Sequence, residues 1–191
     1  MDKIKELGLK DSYLRAKRRL YKKSYLMSLD LETYEKRGAG DAFAEIDPEI
    51  IKLIRIQYPK EVSEFKGHVF THRWYDPDTE GICYNKDGHI STYIWALEGK
   101  IIEESTWTRM DLKEDEVYLF DLYTFVNQRG KGLGRKTMEK ILEIYKDKGF
   151  VKAYLMVGDY NTVSIAIQES LGFKKIAAVY RGKNKRWFKK F

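Results

Sequence analysis

The sequence predicts an α/β fold with a mixed, mostly antiparallel central sheet flanked by helices, and with an N-terminal helical extension. β-Branched and aromatic runs dominate the middle of the chain, and strand and helix patterns alternate after residue 116. The chain has 191 residues, 43% of them hydrophobic, which suffices for one core without disulfides. We assign residues 1–66 to an N-terminal helical region that packs on a core formed by residues 67–191.

The N-terminal third contains two helix signals. Residues 11–26 combine many cations with helical spacing of apolar residues, which favours an amphipathic helix leading to a short strand near 25–31. The glycines of residues 36–43 indicate a loop. Asp47 followed by Pro48 is typical of an N-cap and a first helical position, so a second helix is expected from there until Pro59.

From residue 68 the pattern changes to strands. Residues 89–97 and 101–108 are rich in β-branched and aromatic side chains, and Glu98-Gly99-Lys100 between them predicts a short hairpin loop. Residues 116–124 are almost continuously apolar or aromatic, which is typical of a strand near the centre of a sheet.

The last third alternates helices and strands. An amphipathic helix is expected from Leu133 to Gly149, because Met138, Ile141, Leu142 and Tyr145 share one face. A strand over 152–157, a helix over 161–171 and a strand over 173–180 follow. The order strand–helix–strand–helix–strand places a functional site at a strand–helix turn.

Charge is distributed unevenly along the chain. Residues 1–23 carry a net charge of +6 and residues 174–191 carry +8, which leaves −7 for residues 24–173. The basic ends are either solvated surface or attractors of an anionic group, and no nucleic-acid-binding motif accompanies them. A single cysteine, Cys83, excludes an internal disulfide and a thiolate metal cluster. Because no apolar run approaches about 18 residues, we expect a cytoplasmic protein without a membrane span.

The most informative segment is the turn over residues 127–135. It contains three alternating glycines and three cations, which are Arg129, Gly130, Lys131, Gly132, Gly134 and Arg135. Glycine lets the backbone come close to a ligand, and the first amides of the following helix are unpaired and partly positive. A strand that enters such a turn and a helix that leaves it together predict a phosphate or pyrophosphate site.

Two other phosphate-binding loops fit this segment poorly. The dinucleotide fingerprint G-x-G-x-x-G fails, because the spacing here is G-x-G-x-G. Residues 130–137 approach the P-loop pattern, but Arg135 replaces its second glycine, so nucleotide hydrolysis is not expected. A tight turn without a ligand remains the structural alternative.

The turn resembles the hallmark of the GNAT N-acetyltransferase superfamily, Q/R-x-x-G-x-G/A, at every defined position from Arg129 to Gly134. Asn161-Thr162-Val163-Ser164 is similar to the family's N-x-x-A/S, and Leu171-Gly172-Phe173 to its helix ending in G-F. The resemblance covers residues 88–181. It implies a transferase that moves an acetyl group from acetyl-CoA to an amine acceptor, by direct attack in a ternary complex. The acceptor could be an amino sugar, a small amine or a peptide amine.

The resemblance also implies positions for the cofactor. Leu122, Tyr123 and Thr124 would pair their backbone with the pantetheine arm, as an added strand would. The pyrophosphate would lie on the turn and the start of the helix, formed by Arg129, Gly130, Lys131, Gly132, Leu133, Gly134 and Arg135. The Asn161 side chain would meet the region where pantetheine joins the pyrophosphate. No metal is expected, and His68 and His72 are interpreted as structural or acceptor-site residues.

The sequence departs from the family at its proton-transfer positions. The family often has a tyrosine seven residues after the asparagine, where this chain has Gln168. A carboxylate that sometimes acts as general base in the family would fall near Met156, which cannot serve as a base. Glutamine has no acidic proton, so the usual general acid is missing. The remaining candidates lie on the central strand, where Glu116 and Tyr118 share one face. Asp121 would face the other side unless a bulge redirects it.

Two alternatives to the transferase stay open at this point. One is a regulatory module that binds acyl-CoA without turnover, which the missing proton-transfer residues favour. The other is an adaptor that binds nucleic acid or a membrane surface through the basic ends.

Overall fold

The computed structural model describes residues 21–103, 106, 108–182 and 186–191. In this part of the chain, ten strands and four α-helices follow one another. They are β1 Tyr21–Asp30, β2 Phe43–Glu45, α1 Pro48–Gln57, α2 Glu64–Tyr75, β3 Thr79–Lys86, β4 His89–Leu97, β5 Lys100–Glu103, β6 Thr108–Asp111, β7 Glu116–Thr124, α3 Leu133–Asp147, β8 Lys152–Gly158, α4 Thr162–Ser170, β9 Lys174–Gly182 and β10 Arg186–Lys190.

Eight of the strands form one sheet in the order β10-β9-β1-β8-β7-β4-β3-β2. Neighbouring strands in it are antiparallel, except that β7 and β8 are parallel. Strands β5 and β6 pair with each other in a separate two-stranded sheet. The prediction of a mixed, mostly antiparallel sheet flanked by helices is therefore confirmed.

The two faces of the sheet are covered by different helices. Val117 and Leu119 of β7 pack in one cluster with Ile141 and Leu142 of α3. Phe120 lies on the opposite face, in a second cluster that includes buried residues of α1 and α2. Alternation along β7 therefore gives this strand one face towards α3 and one face towards α1 and α2.

Helix α1 begins where the sequence predicted. The Asp47 side chain accepts a hydrogen bond of 2.7 Å from the Ile50 amide, and Pro48 occupies the first turn. Such a cap satisfies one of the amides that a helix start leaves unpaired. The helix ends at Gln57, two residues before Pro59.

The strand pattern expected from residue 68 is wrong for residues 68–75, which belong to α2. The aromatic and β-branched composition of this segment favoured a strand. Two other features favour a helix: Ser63 accepts a hydrogen bond from the Lys66 amide as N-cap, and Phe70 is fully buried against the sheet. Tertiary packing of one helical face has overridden local propensity here.

The predicted helix over residues 11–26 lies partly outside the described residues, and its last six residues are strand instead. Strand β1 pairs with β8 from Ser24 to Asp30 and with β9 on its other side. Met27 and Leu29 are buried in the core. Part of the segment assigned to an N-terminal region thus lies inside the main sheet, because its apolar residues alternate towards the core despite the flanking lysines.

The predicted hairpin around Gly99 is also wrong. Strand β4 pairs with β3 and β7, whereas β5 turns away and pairs with β6. The tight hairpin lies one connection earlier, between β3 and β4, where Asp87 and Gly88 have φ of 54° and 79°. Two successive positive φ angles suit the twist of a two-residue hairpin, and Asp-Gly is a preferred pair there.

The strands and α-helices from β7 to β9 match the sequence prediction to within two residues, whereas β10 was not predicted. Strand β7 has the predicted bounds, and α3 ends two residues before Gly149, which has φ of 87°. In the described part of the chain, no helix combines the length and the apolar character that crossing a membrane requires.

Candidate active site

Strands β7 and β8 pair over only part of their length. Their parallel register joins residues 116–119 to residues 152–155 and ends there. Beyond Leu119 the rest of β7 pairs with β4 on its other side, while residues 156–158 of β8 pair with β1. The facing edges of β7 and β8 therefore separate towards their carboxyl ends, and they leave backbone groups available to an extended ligand.

The glycine turn follows β7 at this open end. Gly130 and Gly132 have φ of 79° and 72°, which side-chain-bearing residues adopt only with strain. A Cβ atom built on either glycine meets no other atom within 4 Å, so the turn is open to an incoming group. Gly132 is the N-cap of α3 and provides no side-chain cap. This open turn with uncapped helix amides fits an anionic group such as a pyrophosphate.

Gly134 has a different role from the two preceding glycines. A Cβ atom there would lie 3.0 Å from the Thr124 hydroxyl oxygen. That hydroxyl donates a hydrogen bond of 3.2 Å to Thr92, whose own hydroxyl donates to the Tyr123 carbonyl. The first turn of α3 thus packs directly on the end of β7, and a side chain at position 134 would crowd this contact.

The three cations of the turn are held by local partners. The Arg129 Nε donates to the Thr124 carbonyl, and the Lys131 ammonium donates to the Gln128 side chain at 2.8 Å. The Arg135 guanidinium pairs with Glu139 at 3.0 Å. All three remain near the turn, where they contribute positive potential.

The second family motif also has a structural role in the described residues. Asn161 is the N-cap of α4, and its side-chain oxygen accepts a hydrogen bond of 3.2 Å from the Ser164 amide. Gln168, on the same helix, is 2% exposed, and its side-chain oxygen has no hydrogen-bond partner among the described residues. A buried amide cannot replace a phenol as proton donor to a leaving thiolate.

Asp121 lies at a β-bulge. The β4–β7 register shifts between the pairs Tyr93↔Tyr123 and Trp95↔Phe120, and Asp121 has φ of 50°. The extra residue turns the Asp121 side chain towards α2, where its carboxylate pairs with the Arg73 guanidinium at 2.6 Å. Without the bulge, simple alternation would have directed this side chain towards α3. The carboxylate thus lies on the face of the sheet opposite α3.

The other two catalytic candidates lie deeper in the sheet. Tyr118 is 3% exposed, and burial raises its pKa well above the ordinary value, helped by Glu103 and opposed by a hydrogen bond from the Met156 backbone. Glu116 is buried at the start of β7, where it accepts hydrogen bonds from the Tyr154 hydroxyl and the Lys113 amide. Its five-residue separation from Asp121 corresponds to roughly 16 Å along a strand.

The sequence analysis missed the charged face of α2. Lys66, Phe70 and Arg73 recur at i, i+4 and i+7, so they share the face directed at β4 and β7. The Lys66 ammonium lies over the Tyr123 ring, and Arg73 lies over Phe120, 4.8 Å from its centroid. The spacing of these residues could have revealed this face, but only after Ser63 had been taken as a helix N-cap.

The structure also places the two histidines and the cysteine that the sequence analysis named. His68 and His72 are exposed on α2, and the described residues contain no cluster of three or more potential metal ligands. Cys83 is fully buried in β3, and burial raises the pKa of its thiol to about 12. Such a thiol is a poor nucleophile near neutral pH.

Sequence comparison identifies relatives of part of the chain. The chain is 33% identical over 72 residues to thialysine N-ε-acetyltransferase of Sus scrofa, covering 38% of this chain and 39% of that protein. It is 35% identical over 68 residues to the Mus musculus protein of the same name, covering 36% and 37%. The matches thus span under two fifths of these curated relatives.

Structural comparison identifies the fold. The glucosamine N-acetyltransferase region of a fungal multi-domain β-N-acetylglucosaminidase superposes with a TM-score of 0.61 and 13% identity, covering 95% of this chain and 23% of that one. A GCN5-related N-acetyltransferase from Sphaerobacter thermophilus superposes with a TM-score of 0.58 and 14% identity, covering 89% and 54%. Residues 47–173 match the sequence profile of the acetyltransferase (GNAT) family. The matched segment extends from the N-cap of α1 to the residue before β9. The chain therefore belongs to the acetyltransferase (GNAT) family.

Proposed function

We propose that the protein is an acetyl-CoA-dependent N-acetyltransferase that acts on a primary amine. The observation that carries this proposal is the open glycine turn at the uncapped start of α3, where β7 and β8 separate. An extended, anionic ligand fits this place, since the separated strand edge offers backbone groups and the helix start offers partly positive amides.

The proposed cofactor contacts follow from that arrangement. Leu122, Tyr123 and Thr124 would hold the pantetheine arm by backbone hydrogen bonds, and the amides from Gly130 to Arg135 would hold the pyrophosphate. Asn161 would contact the junction between them. The side chains of Arg129, Lys131 and Arg135 would add positive potential. When bound, acetyl-CoA supplies a thioester, which an amine can cleave without a metal.

The acceptor would approach from the face of the sheet that carries Asp121. This carboxylate lies at the bulge, on the side of α2, and can accept a hydrogen bond from an ammonium group. The curated relatives are named as acetyltransferases of the N-ε position of thialysine. We therefore propose an acceptor with a primary amine on a short flexible chain, a class that small amines and peptide amines share.

The proposed reaction can proceed without the family's usual general acid. A lysine-like acceptor with a pKa of ~10.4 must lose a proton before attack, which costs about 4.6 kcal/mol at pH 7. Holding amine and thioester side by side can supply about 7–11 kcal/mol. Asp121 would orient the amine and accept its proton directly or through water. A thiolate leaves without an acid, so Gln168 need not replace the tyrosine.

Isothermal titration of acetyl-CoA tests the cofactor half of the proposal. We expect micromolar binding by the wild type and none by Gly132→Trp, whose side chain would fill the open turn. Gly149→Trp is the matched control, because Gly149 also has a positive φ and open surroundings but lies past the other end of α3. Loss of binding in both variants, or in neither, contradicts this assignment of the site.

Release of free thiol over a panel of primary amines tests the transferase half. We expect turnover with at least one short-chain amine, and none with the Gly132→Trp variant. Tight acetyl-CoA binding without thiol release on a broad panel would favour a regulatory module instead.

A further inference from the structure

The side chain of Lys66 occupies an ammonium site that the chain itself builds. Its Nζ atom lies 4.4 Å from the centroid of the Tyr123 ring, 5.2 Å from that of Tyr93 and 5.7 Å from that of Phe70. Aromatic faces attract a cation at such distances. The carboxylates of Asp121 and Glu61 lie near enough to act electrostatically on the same group. The protein's own amine thus lies in an aromatic and acidic surrounding that suits an acceptor amine.

The two carboxylates are engaged with other partners. Asp121 is ion-paired with Arg73, and Glu61 accepts hydrogen bonds from the Tyr123 hydroxyl at 2.7 Å and from the Val126 amide at 3.1 Å. The two carboxylates thus have close partners other than Lys66, whose ammonium lies among the three rings.

The surroundings of Lys66 also favour its reactive form. Burial lowers the pKa of Lys66 below the ordinary lysine value, with Asp121 opposing this shift and Arg73 reinforcing it. A lowered pKa increases the neutral fraction of the amine at a given pH, and the neutral amine is the nucleophile. The rings and the carboxylates act in the opposite sense, because they stabilise the charged ammonium, but burial is the larger effect.

Lys66 also lies against the strand segment that would hold the thioester. Tyr123, whose ring contacts the Lys66 ammonium, is in the middle of the segment 122–124, and Asp121 immediately precedes that segment. The lysine approaches from the side of α2, opposite α3. From this position its four-carbon chain can carry the amine along β7 towards the bulge.

We propose that Lys66 is a self-acetylation site, which takes the acetyl group from acetyl-CoA bound to the same chain. This inference rests on the proposed function, since that function supplies the acetyl donor. The neutral Lys66 amine attacks the thioester carbonyl carbon, so a C–N bond forms and the C–S bond breaks. Coenzyme A leaves as thiolate and takes up the proton that the nitrogen releases. The lysine becomes an uncharged acetyl-lysine, and no electrons are transferred.

Incubation with acetyl-CoA in the absence of any acceptor tests this proposal. We expect intact-mass analysis to show the addition of one acetyl group per chain, and peptide mapping to place it on Lys66. The rate constant should not change over a tenfold range of protein concentration, because the reaction occurs within one chain. Lys66→Arg should abolish this modification, whereas Lys60→Arg, which changes an exposed lysine nearby, should leave it unchanged.

Three results would overturn the proposal. Acetylation spread over several exposed lysines, or equally fast in Gly132→Trp, would indicate uncatalysed chemistry. A rate constant that rises with protein concentration would indicate transfer between chains. If Lys66 stays unmodified in a protein that binds acetyl-CoA and releases thiol with amines, self-acetylation is refuted and the proposed function is not. Absence of acetyl-CoA binding in the titration would instead refute the proposed function on which it rests.

Discussion

Replacing Asp121 by asparagine separates its charge from its backbone geometry. Asp121 has φ of 50°, a left-handed conformation that asparagine tolerates nearly as well as aspartate, so the bulge should persist. The variant loses the ion pair with Arg73. The side chains of Arg73 and Asp121 are 20% and 30% exposed. Because this ion pair is partly buried, we expect its loss to lower the free energy of unfolding by roughly 1–2 kcal/mol. In a chain of this size that corresponds to a decrease in Tm of about 2–8 °C.

The effect on catalysis should be larger than the effect on stability. If the Asp121 carboxylate holds the acceptor amine, the variant loses a hydrogen bond to a charged group, worth about 1.5–3 kcal/mol. This corresponds to a decrease in kcat/KM for the amine of about 10- to 150-fold. The KM for acetyl-CoA should stay unchanged, because the glycine turn that would hold the pyrophosphate is not altered.

A thiol-release assay at saturating acetyl-CoA measures these constants, and thermal unfolding measures stability. Asp111→Asn is the matched control, since Asp111 is an exposed aspartate at the end of β6, and it should leave both measurements unchanged. Asp121→Ala should lose similar activity but a further 1–2 kcal/mol or so, because alanine is strained at positive φ. A kcat/KM for Asp121→Asn within about twofold of wild type would refute the assignment of Asp121 to the acceptor site.

Three further predictions concern stability. The Tyr34 hydroxyl is buried without a hydrogen-bond partner among the described residues, so Tyr34→Phe should raise the unfolding free energy at pH 7 by about 1 kcal/mol in denaturant titrations. Burial also raises the pKa of Tyr34 to about 12. As the pH rises from 10 to 12, the unfolded chain therefore loses the Tyr34 proton before the native state does, and the unfolding free energy falls. Tyr34→Phe should flatten that fall. Gly134→Val should cost about 1–3 kcal/mol by crowding the Thr124 hydroxyl, and Thr124→Ala should recover part of the loss in a double-mutant cycle; additive losses would contradict this contact.

The sequence predicted the carboxyl-terminal half of the fold well, because its signals there are local and agree with one another. The glycines at 130, 132 and 149 have the positive φ angles that their turn positions require, and Asn161 caps the helix that it precedes. Helix α2 was missed because aromatic residues that pack on a sheet resemble strand residues in composition. The orientation of Asp121 depends on a bulge, and a bulge is decided by pairing with β4, which periodicity along β7 alone cannot show.

Strand β1 explains how the cleft between β7 and β8 can stay open. Residues 156–158 of β8 separate from β7, yet they remain paired on their other edge with residues 24–26 of β1. Residues 120–124 of β7 are likewise supported by β4. Each side of the cleft is thus held by a strand that does not line it. If β1 were absent, the backbone groups of the last residues of β8 would have no partner on that edge. Hydrogen bonds to β7 would then satisfy them and would close the cleft to the ligand. A strand from outside the region of family resemblance therefore stabilises the cleft in which the family motif can act.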